Sequence, residues 1–496
     1  AEADVLRSTF ENKEDDMKRT TRFLLAGLLV LGVFGCSGKQ TPSEETPAET
    51  APVADAKDAP EANAAPEPKP TISYDQTSPT GSRMAWVLDV INARKGVVEI
   101  SEIEANVDQT MLDVLPAAKL QEVFVQIAAQ LAPMRPVAIA KDAPTNLVLR
   151  VATGQPTELF VVVNVTQAAP HKIDGLLFQP APKDNAQLPK NWEGVLEGVR
   201  QTAATTQLYA ASIDPKTGTC TPIKTHAPEA AMALGSTFKL YILATLANQI
   251  ADGKHTWDEM LAVEDAKKSL PSGKMQDETA GATFSIEHFA TLMISISDNT
   301  ATDHLLALAG RKNVEATVAA TKHHDPGKLA PFLSTREMFT LKLARDDAQR
   351  DAYVAMDTAA RRATLAKMAS EPLPALENAM GWTNPRYIDS IEWFAKGEDL
   401  CKLQAHLVVN RDKPAYAKAL EVMAVNPGGL EGTPETWTYI GYKGGSEPGV
   451  AHLSYLLQRE DGAWFSLVIA GNDTKAQVPV MPLIDMARAS SALLLE

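Results

Sequence analysis

The sequence predicts an α+β protein with two folded domains, the larger an antiparallel sheet with helices packed on it. Three observations carry this. The chain has 496 residues, too many for one compact core at roughly 100–200 residues per domain. Within 81–185 the apolar period changes from helical to strand spacing part-way along. Within 190–496 strand-like segments lie at both ends and helical ones between, so the ends of that stretch must meet in one antiparallel sheet. Hydrophobic residues at 45% and charged residues at 22% are ordinary for a soluble globular chain.

Residues 1–16 contain Glu11, Glu14, Asp15 and Asp16. Acidic residues do not belong at the head of an export signal, so 1–16 reads as a start-site extension ahead of Met17. Lys18, Arg19 and Arg22 then precede residues 23–35, a run without a polar side chain. That run is too short to span a bilayer comfortably but fits the apolar part of a secretory signal. It ends at Val33-Phe34-Gly35-Cys36, which resembles a bacterial lipobox. The resemblance implies a signal peptide over 17–36, lipidation of Cys36, export, and attachment to the cell envelope on the periplasmic side of a bacterial membrane. The alternative is an ordinary signal peptide with an incidental cysteine. Residues 37–80, rich in Pro, Ala, Glu and Thr, bury too little apolar surface to offset ordering and predict a disordered tether.

Residues 81–185 predict a small α+β domain. Met84, Val87, Leu88 and Ile91 share a helix face, as do Leu120, Val123, Phe124, Ile127 and Leu131. Residues 147–151 and 159–165 are β-branched runs separated by Gly154 and Pro156, and 171–177 predicts a last strand. Helices followed by strands resemble the NTF2-like (cystatin-like) cone. A similar small domain precedes the hydrolase domain in a serine-hydrolase group related to proteins of clavulanic acid gene clusters. No catalytic or metal-ligating constellation stands out here, and His171 reads as a surface histidine.

Residues 190–496 open with a predicted hairpin, 207–213 and 220–225, around Asp214-Pro215-Lys216-Thr217-Gly218. An apolar helix follows over 238–246. At the far end 437–443, 450–458 and 464–470 predict three strands, the last two joined at Asp461-Gly462, and 481–495 a closing amphipathic helix.

Three motifs in this stretch carry chemistry. Ser236-Thr237-Phe238-Lys239 sits where the apolar helix begins, which puts Ser236 and Lys239 on one helical face. Such a pattern occurs by chance about twice in a chain this long, so context decides its worth. Ser297-Asp298-Asn299 follows a helix bearing Ile286, Phe289, Leu292 and Met293. Alone it reads as helix capping, for which these residue types are preferred. Lys443-Gly444-Gly445 leaves the strand over 437–442 and alone reads as a glycine turn. Together, in this order, on these elements, with Ser297 lying 61 residues after Ser236, they resemble the class A β-lactamase and penicillin-binding family. Pro271-Ser272-Gly273 adds to the likeness.

The resemblance implies an αβα sandwich and acyl transfer through a covalent serine. Ser236 would be the nucleophile, and Lys239 its base, neutral through burial and the nearby charge of Lys443. Ser297 would relay a proton. Asn299 would bind the substrate's acyl side chain, and Lys443 the substrate carboxylate. Gly444 and Gly445 would line the strand edge, and the N–H groups of Ser236 and Ser446 would form the oxyanion hole. Gly444 departs from the usual Thr or Ser, which removes a hydroxyl. The Ω-loop Glu of class A enzymes, in an E-x-x-L-N pattern, has no match. Asp325, in Asp325-Pro326-Gly327, is the nearest carboxylate there and reads first as a turn. Pro331-Phe332-Leu333-Ser334-Thr335-Arg336-Glu337-Met338 resembles a subgroup without that Glu. Lys443 follows Ser297 by 146 residues, long for class A, and a helical insertion over about 342–400 accounts for it.

The resemblance implies no metal and no organic cofactor. With 47 Lys+Arg against 62 Asp+Glu, the net charge is −15. An acidic chain without a basic tract is a poor nucleic-acid partner. Cys220 and Cys401 read more readily as buried free thiols than as a disulfide, with pairing open in an oxidising compartment. The expected partners are a small β-lactam or peptidoglycan-like molecule and the membrane under the lipid anchor. Three functions fit: slow hydrolysis of β-lactams or related amides and esters, a D,D-peptidase or esterase of the envelope, and a catalytically weak cell-wall-binding lipoprotein.

Overall fold

The computed structural model describes residues 70–155, 158–430 and 437–496. The export signal, Cys36, Pro156 and residues 37–69 of the tether lie outside the described residues, whereas 70–80 are described and Pro79 already begins a helix. The chain divides into two compact units, one ending at Ala181 and the other running from Pro182 to Glu496.

The first unit places four helices, α1 (Pro79–Asn92), α2 (Ile100–Asn106), α3 (Gln109–Val114) and α4 (Ala117–Leu131), before four strands. The strands β1 (Arg135–Ala143), β2 (Asn146–Ala152), β3 (Glu158–Val165) and β4 (Ile173–Pro180) form an antiparallel meander in chain order. Ser78 starts α1 by accepting the Gly81 N–H at 3.1 Å, ahead of Pro79. Met84, Val87, Leu88 and Ile91 of α1 and Leu120, Phe124, Ile127 and Leu131 of α4 are buried with Leu149, Val151, Val161 and Val163. Strand β1 is absent from the sequence reading because Val137 is its one buried residue, which leaves no alternation to detect. Strand β4 begins at Ile173 and not at residue 171. His171 adopts φ 54° and its N–H closes a turn on Ala168.

The second unit begins with α5 (Trp192–Arg200), the hairpin β5 (Thr205–Ile213) and β6 (Cys220–His226), and the short β7 (Met232–Ala233). A 3₁₀ turn, Gly235–Phe238, feeds α6 (Lys239–Ala251). Then come β8 (Met260–Ala262), β9 (Thr283–Ser285), α7 (Ile286–Ser295), α8 (Asn299–Ala309) and α9 (Arg311–Ala320). Next is α10 (Thr335–Leu343), and the segment expected as a helical insertion over about 342–400 holds α11 (Asp347–Ala355), α12 (Thr358–Met368) and α13 (Leu376–Met380). The chain closes with β10 (Phe394–Ala395), α14 (Gly397–Val409), α15 (Pro414–Ala424), β11 (Trp437–Glu447), β12 (Val450–Arg459), β13 (Trp464–Asn472) and α16 (Val480–Leu493).

The main sheet has the order β11-β12-β13-β5-β6 and is antiparallel throughout, so its two ends in sequence meet where β13 pairs with β5. Strand alternation splits its side chains between two apolar layers. Leu208, Ala210, Leu453, Tyr455, Leu467 and Ile469 pack with Val195, Val199, Leu483 and Ala487 of α5 and α16. Tyr209, Ala211, Leu456 and Val468 pack with Leu240, Leu243, Phe289 and Leu403 of the other helical layer. The result is an αβα sandwich with the 3₁₀ turn lodged at the edge strand β11. Cys220 and Cys401 form a disulfide between β6 and α14, which corrects the expectation of free thiols. The two sulfurs are 181 residues apart in sequence, a separation that hides such a pairing from sequence reading.

Candidate functional site

Ser236 lies in the 3₁₀ turn and is half-buried, whereas Lys239, one turn on, is fully buried. The turn is wedged between the sheet edge and the core. Phe238 stacks on Trp393 with ring centroids 3.6 Å apart, and the Leu234 N–H donates to the Trp393 carbonyl at 2.9 Å.

Ser297-Asp298-Asn299 links α7 to α8. Asp298 is the N-cap of α8, accepting the Ala301 N–H at 2.8 Å with one carboxylate oxygen. Its other oxygen accepts the N–H groups of Lys274 and Met275 at 2.7 and 2.9 Å. Ser272 Oγ donates to the Ser297 carbonyl at 2.8 Å, and the Asn299 N–H to the Ser272 carbonyl at 2.9 Å. This bracing holds Ser297 at φ 59°, a left-handed conformation that costs a non-glycine residue about 1–3 kcal/mol. The capping reading of this motif holds for Asp298, and Ser297 beside it is held in the left-handed conformation.

The three motifs converge on Ser297. Lys239 Nζ lies 2.7 Å from the Ser297 carbonyl oxygen, 3.1 Å from Ser297 Oγ and 2.7 Å from Asn299 Oδ1. Lys443 Nζ lies 3.1 Å from the same Ser297 Oγ and donates to the Gly444 carbonyl at 2.6 Å. The serine hydroxyl thus stands between two amines. Burial brings the Lys239 amine down to about 7, and Asp298 and Asp303 keep it from falling further. Burial, with the neighbouring Lys239, depresses Lys443 far below the usual lysine range. A neutral Lys239 would give its two hydrogens to the Ser297 carbonyl and Asn299 Oδ1, which can only accept, and leave a lone pair for a hydroxyl.

One expectation gains detail here and another changes. Asn299 Oδ1 accepts from Lys239, Asn299 Nδ2 donates to the Leu270 carbonyl at 3.0 Å, and the residue is 5% exposed. Its oxygen holds the lysine, and one of the two Nδ2 hydrogens goes to Leu270. Strand β11 also does not end before Lys443-Gly444-Gly445. It runs on to Glu447, because residues 443–447 keep an unbroken ladder with 450–454.

Gly445 is dictated by close approach. A Cβ there would lie 2.0 Å from the Leu234 carbonyl oxygen and 2.4 Å from Ser236 N, both backbone atoms. A Cβ on Gly235 would lie 2.9 Å from Ser446 N. The backbone of Ser236 and that of Ser446 are therefore neighbours across the groove. At Gly444 a Cβ would lie 2.0 Å from Tyr442 Oη, so the hydroxyl of Tyr442 fills the space where a Thr or Ser side chain would start.

Sequence reading missed Asp303, one turn beyond Asn299. It is buried, pushed up to about 6 by that burial, and accepts the N–H groups of Thr335 and Arg336 at 2.8 and 2.9 Å. It thereby fixes the start of α10. Asp325 is not brought to the nucleophile. Its N–H donates to His323 Nδ1 at 3.1 Å, its carbonyl closes a turn on Lys328, and no hydrogen bond joins it to Ser236, Lys239 or Ser297.

His323, His324 and Asp399 form the group of metal-ligating residue types whose ligand atoms converge, lying within 4.8 Å of one another. Hydrogen bonding accounts for it without an ion. Because His323 Nδ1 accepts the Asp325 N–H, its proton sits on Nε2, facing the Phe394 carbonyl at 2.9 Å. A metal at Nε2 would need that position bare. Asp399 already accepts the N–H groups of His324 and Lys396 at 2.8 Å each and faces His324 Nδ1 at 2.6 Å.

Comparison with known proteins finds two matching family models. Residues 195–377 match the family model described as "Beta-lactamase enzyme family", and residues 76–167 match the one described as "ORF 12 gene product N-terminal". Similar solved structures include a β-lactamase from Sphaerobacter thermophilus, 18% identical, covering 61% of this chain and 96% of that one, with a TM-score of 0.43. They also include a β-lactamase from Chitinophaga pinensis, 14% identical, 61% and 97% covered, with a TM-score of 0.41. PBP-A is 14% identical, 62% and 100% covered, with a TM-score of 0.40. No curated protein matches the chain. The stretch carrying Ser236, Lys239 and Ser297 is thus the stretch that is similar to the β-lactamase enzyme family.

Proposed function

We propose that the second unit is a serine hydrolase of the β-lactamase type, acting through an acyl-enzyme at Ser236 on β-lactams or related amides and esters. The observation that carries this reading is Lys239: a buried amine, brought to about 7 and pinned by Ser297 and Asn299, one helical turn from a half-buried serine. A group poised near neutrality is what a general base requires. Neutral Lys239 takes the Ser236 proton as Oγ attacks the carbonyl carbon. The N–H groups of Ser236 and Ser446 receive the charge that develops on the carbonyl oxygen. Ser297, between the two amines, passes the proton to the leaving nitrogen or oxygen. An anionic substrate favours the protonated form of Lys443 and is held by it.

Deacylation is the slow step in this reading, because no carboxylate from the 321–334 segment is hydrogen-bonded to Ser236 or Lys239. The same feature keeps the other readings alive, an envelope D,D-peptidase or esterase and a weakly catalytic cell-wall-binding protein. Export with a lipid anchor at Cys36 belongs to the proposal. It is supported by the Cys220–Cys401 disulfide, a bond that persists in oxidising compartments. For the first unit we retain the NTF2-like reading, supported by helices followed by an antiparallel meander over one apolar core.

Turnover of a chromogenic cephalosporin by the full chain and by Ser236→Ala tests the proposal. Turnover that disappears with the hydroxyl supports it. Turnover that survives in Ser236→Ala rejects the serine mechanism. Binding of peptidoglycan fragments without any turnover favours the binding protein.

A further inference from the structure

The helical insertion returns to the nucleophile. Lys342, at the end of α10, is fully buried. Its Nζ lies 3.2 Å from Glu392 Oε1 and ion-pairs with Glu447. Glu392 has no exposed side-chain surface, and its second carboxylate oxygen accepts the Trp393 N–H at 3.1 Å. Glu447, 6% exposed at its side chain, also hydrogen-bonds Glu392. The Trp382 ring covers the ammonium, 5.6 Å from Nζ. The Lys342 carbonyl accepts from the guanidinium groups of Arg350 and Arg386. One lysine and two glutamates are thus sealed together, drawn from α10, from the approach to β10 and from the last residue of β11.

The position of that last residue gives the cluster its meaning. Strand β11 is an edge: β12 holds one side by ladder bonds, and the other faces the Gly235–Phe238 turn. Ladder bonds do not fix how close a free edge stands to what it faces. Lys443, Gly445 and Glu447 share one face of the strand. That face meets Ser236, as the close approach of Gly445 shows. It is tied at Lys443 to Ser297 and at Glu447 to Lys342, and Ser446 lies between the ties. Sealing an ion cluster carries a desolvation penalty that packing alone gives no reason to bear. Burial and Glu392 both raise Glu447 well above the usual carboxylate range.

We propose that Lys342, Glu392 and Glu447 are positioning residues, a clamp that fixes the Ser446 amide opposite Ser236, so that the insertion belongs to the acyl-transfer machinery. This rests on the acyl-serine reading.

Two measurements on the full chain test it: the acylation rate constant and non-covalent affinity for a penicillin, and amide hydrogen exchange of Ser446 and its neighbours. Lys342→Met and Glu447→Ala are expected to slow acylation about tenfold or more, short of the hundredfold that losing an oxyanion donor costs, with affinity changed by less than about twofold. Exchange rises at 444–447 and stays protected in β12 and β13. Glu447→Gln, neutral and still hydrogen-bonding, recovers most of the loss seen in Glu447→Ala. Unchanged rate and exchange in Lys342→Met overturn the clamp. So does a loss of affinity equal to the loss of rate, or exchange that rises across the whole sheet. Should Lys342→Met not fold, Glu447→Ala carries the test, since it only trims a strand end. If the wild-type chain takes up no acyl group, the acyl-serine reading fails, and the exchange comparison decides the clamp by itself.

Discussion

The two units bury different things. Among the described residues of the first, Thr80 is the one buried polar side chain, and the rest of its core is apolar. The second buries Lys239, Lys342, Lys443, Asp298, Asp303, Glu392 and His452. Apolar burial needs no explanation beyond the transfer of surface from water. Each buried ion carries a penalty that must be offset by partners or justified by chemistry. The contrast separates a unit whose interior only holds it together from one whose interior is arranged around a serine.

The largest effects are expected at the serine and its amine. Ser236→Ala and Lys239→Met should each lower acylation at least about a thousandfold in protein with an unchanged circular dichroism spectrum. Either variant acylating near the wild-type rate would place the chemistry elsewhere. The acylation rate of the wild type should rise as pH climbs through about 7, because the neutral amine is the base, and then level off. Stopped-flow mixing between pH 5 and pH 9, about two units either side of that value, gives this profile. A flat profile breaks the assignment of Lys239.

The two motif glycines sharpen the comparison inside the site. Gly445→Ala drives a methyl into the backbone of Leu234 and Ser236 and should lower acylation about a hundredfold. Gly444→Ala meets the Tyr442 side chain and not the backbone of the nucleophile turn, and should cost less, about threefold. The same rate assay reads both. Equal losses would refute the claim that close approach at 445 builds the oxyanion hole.

His452 gives a smaller effect, on stability. It faces the helical layer beneath Ser236 with neither ring nitrogen hydrogen-bonded, and burial pulls it down to about 3. The unfolded chain takes up the proton below about 6.5, so stability falls as pH drops from there toward about 3, by ~5 kcal/mol at most. Denaturant titrations across this range should show a shallower pH dependence in His452→Leu than in the wild type. Equal slopes in the wild type and His452→Leu would mean that the ring is not protonated on unfolding.

What the sequence disclosed of the site is what is local in sequence. Ser236 and Lys239 are one turn apart, Ser297 and Asn299 bracket a helix cap, and Lys443 sits before two glycines. What it hid depends on contacts between distant segments. Lys342 meets residues 50 and 105 positions away, and a lysine at the end of a helix carries no mark of burial. The sequence does not show that Asn299 Oδ1 faces Lys239, 60 residues away. In the fold, the buried faces of α1, α4 and the central strands were legible as periodicity. Strand β1, mostly exposed, was not. Two adjacent glycines masked the continuation of β11 to Glu447.

The most direct measurement is intact mass spectrometry of the full chain after incubation with a penicillin and, separately, with a fluorophosphonate, followed by mapping of any adduct. The account predicts one adduct per chain, on Ser236, with a long-lived penicilloyl group where no carboxylate activates water. A folded protein that takes up neither reagent, or that carries the adduct on another residue, would contradict it.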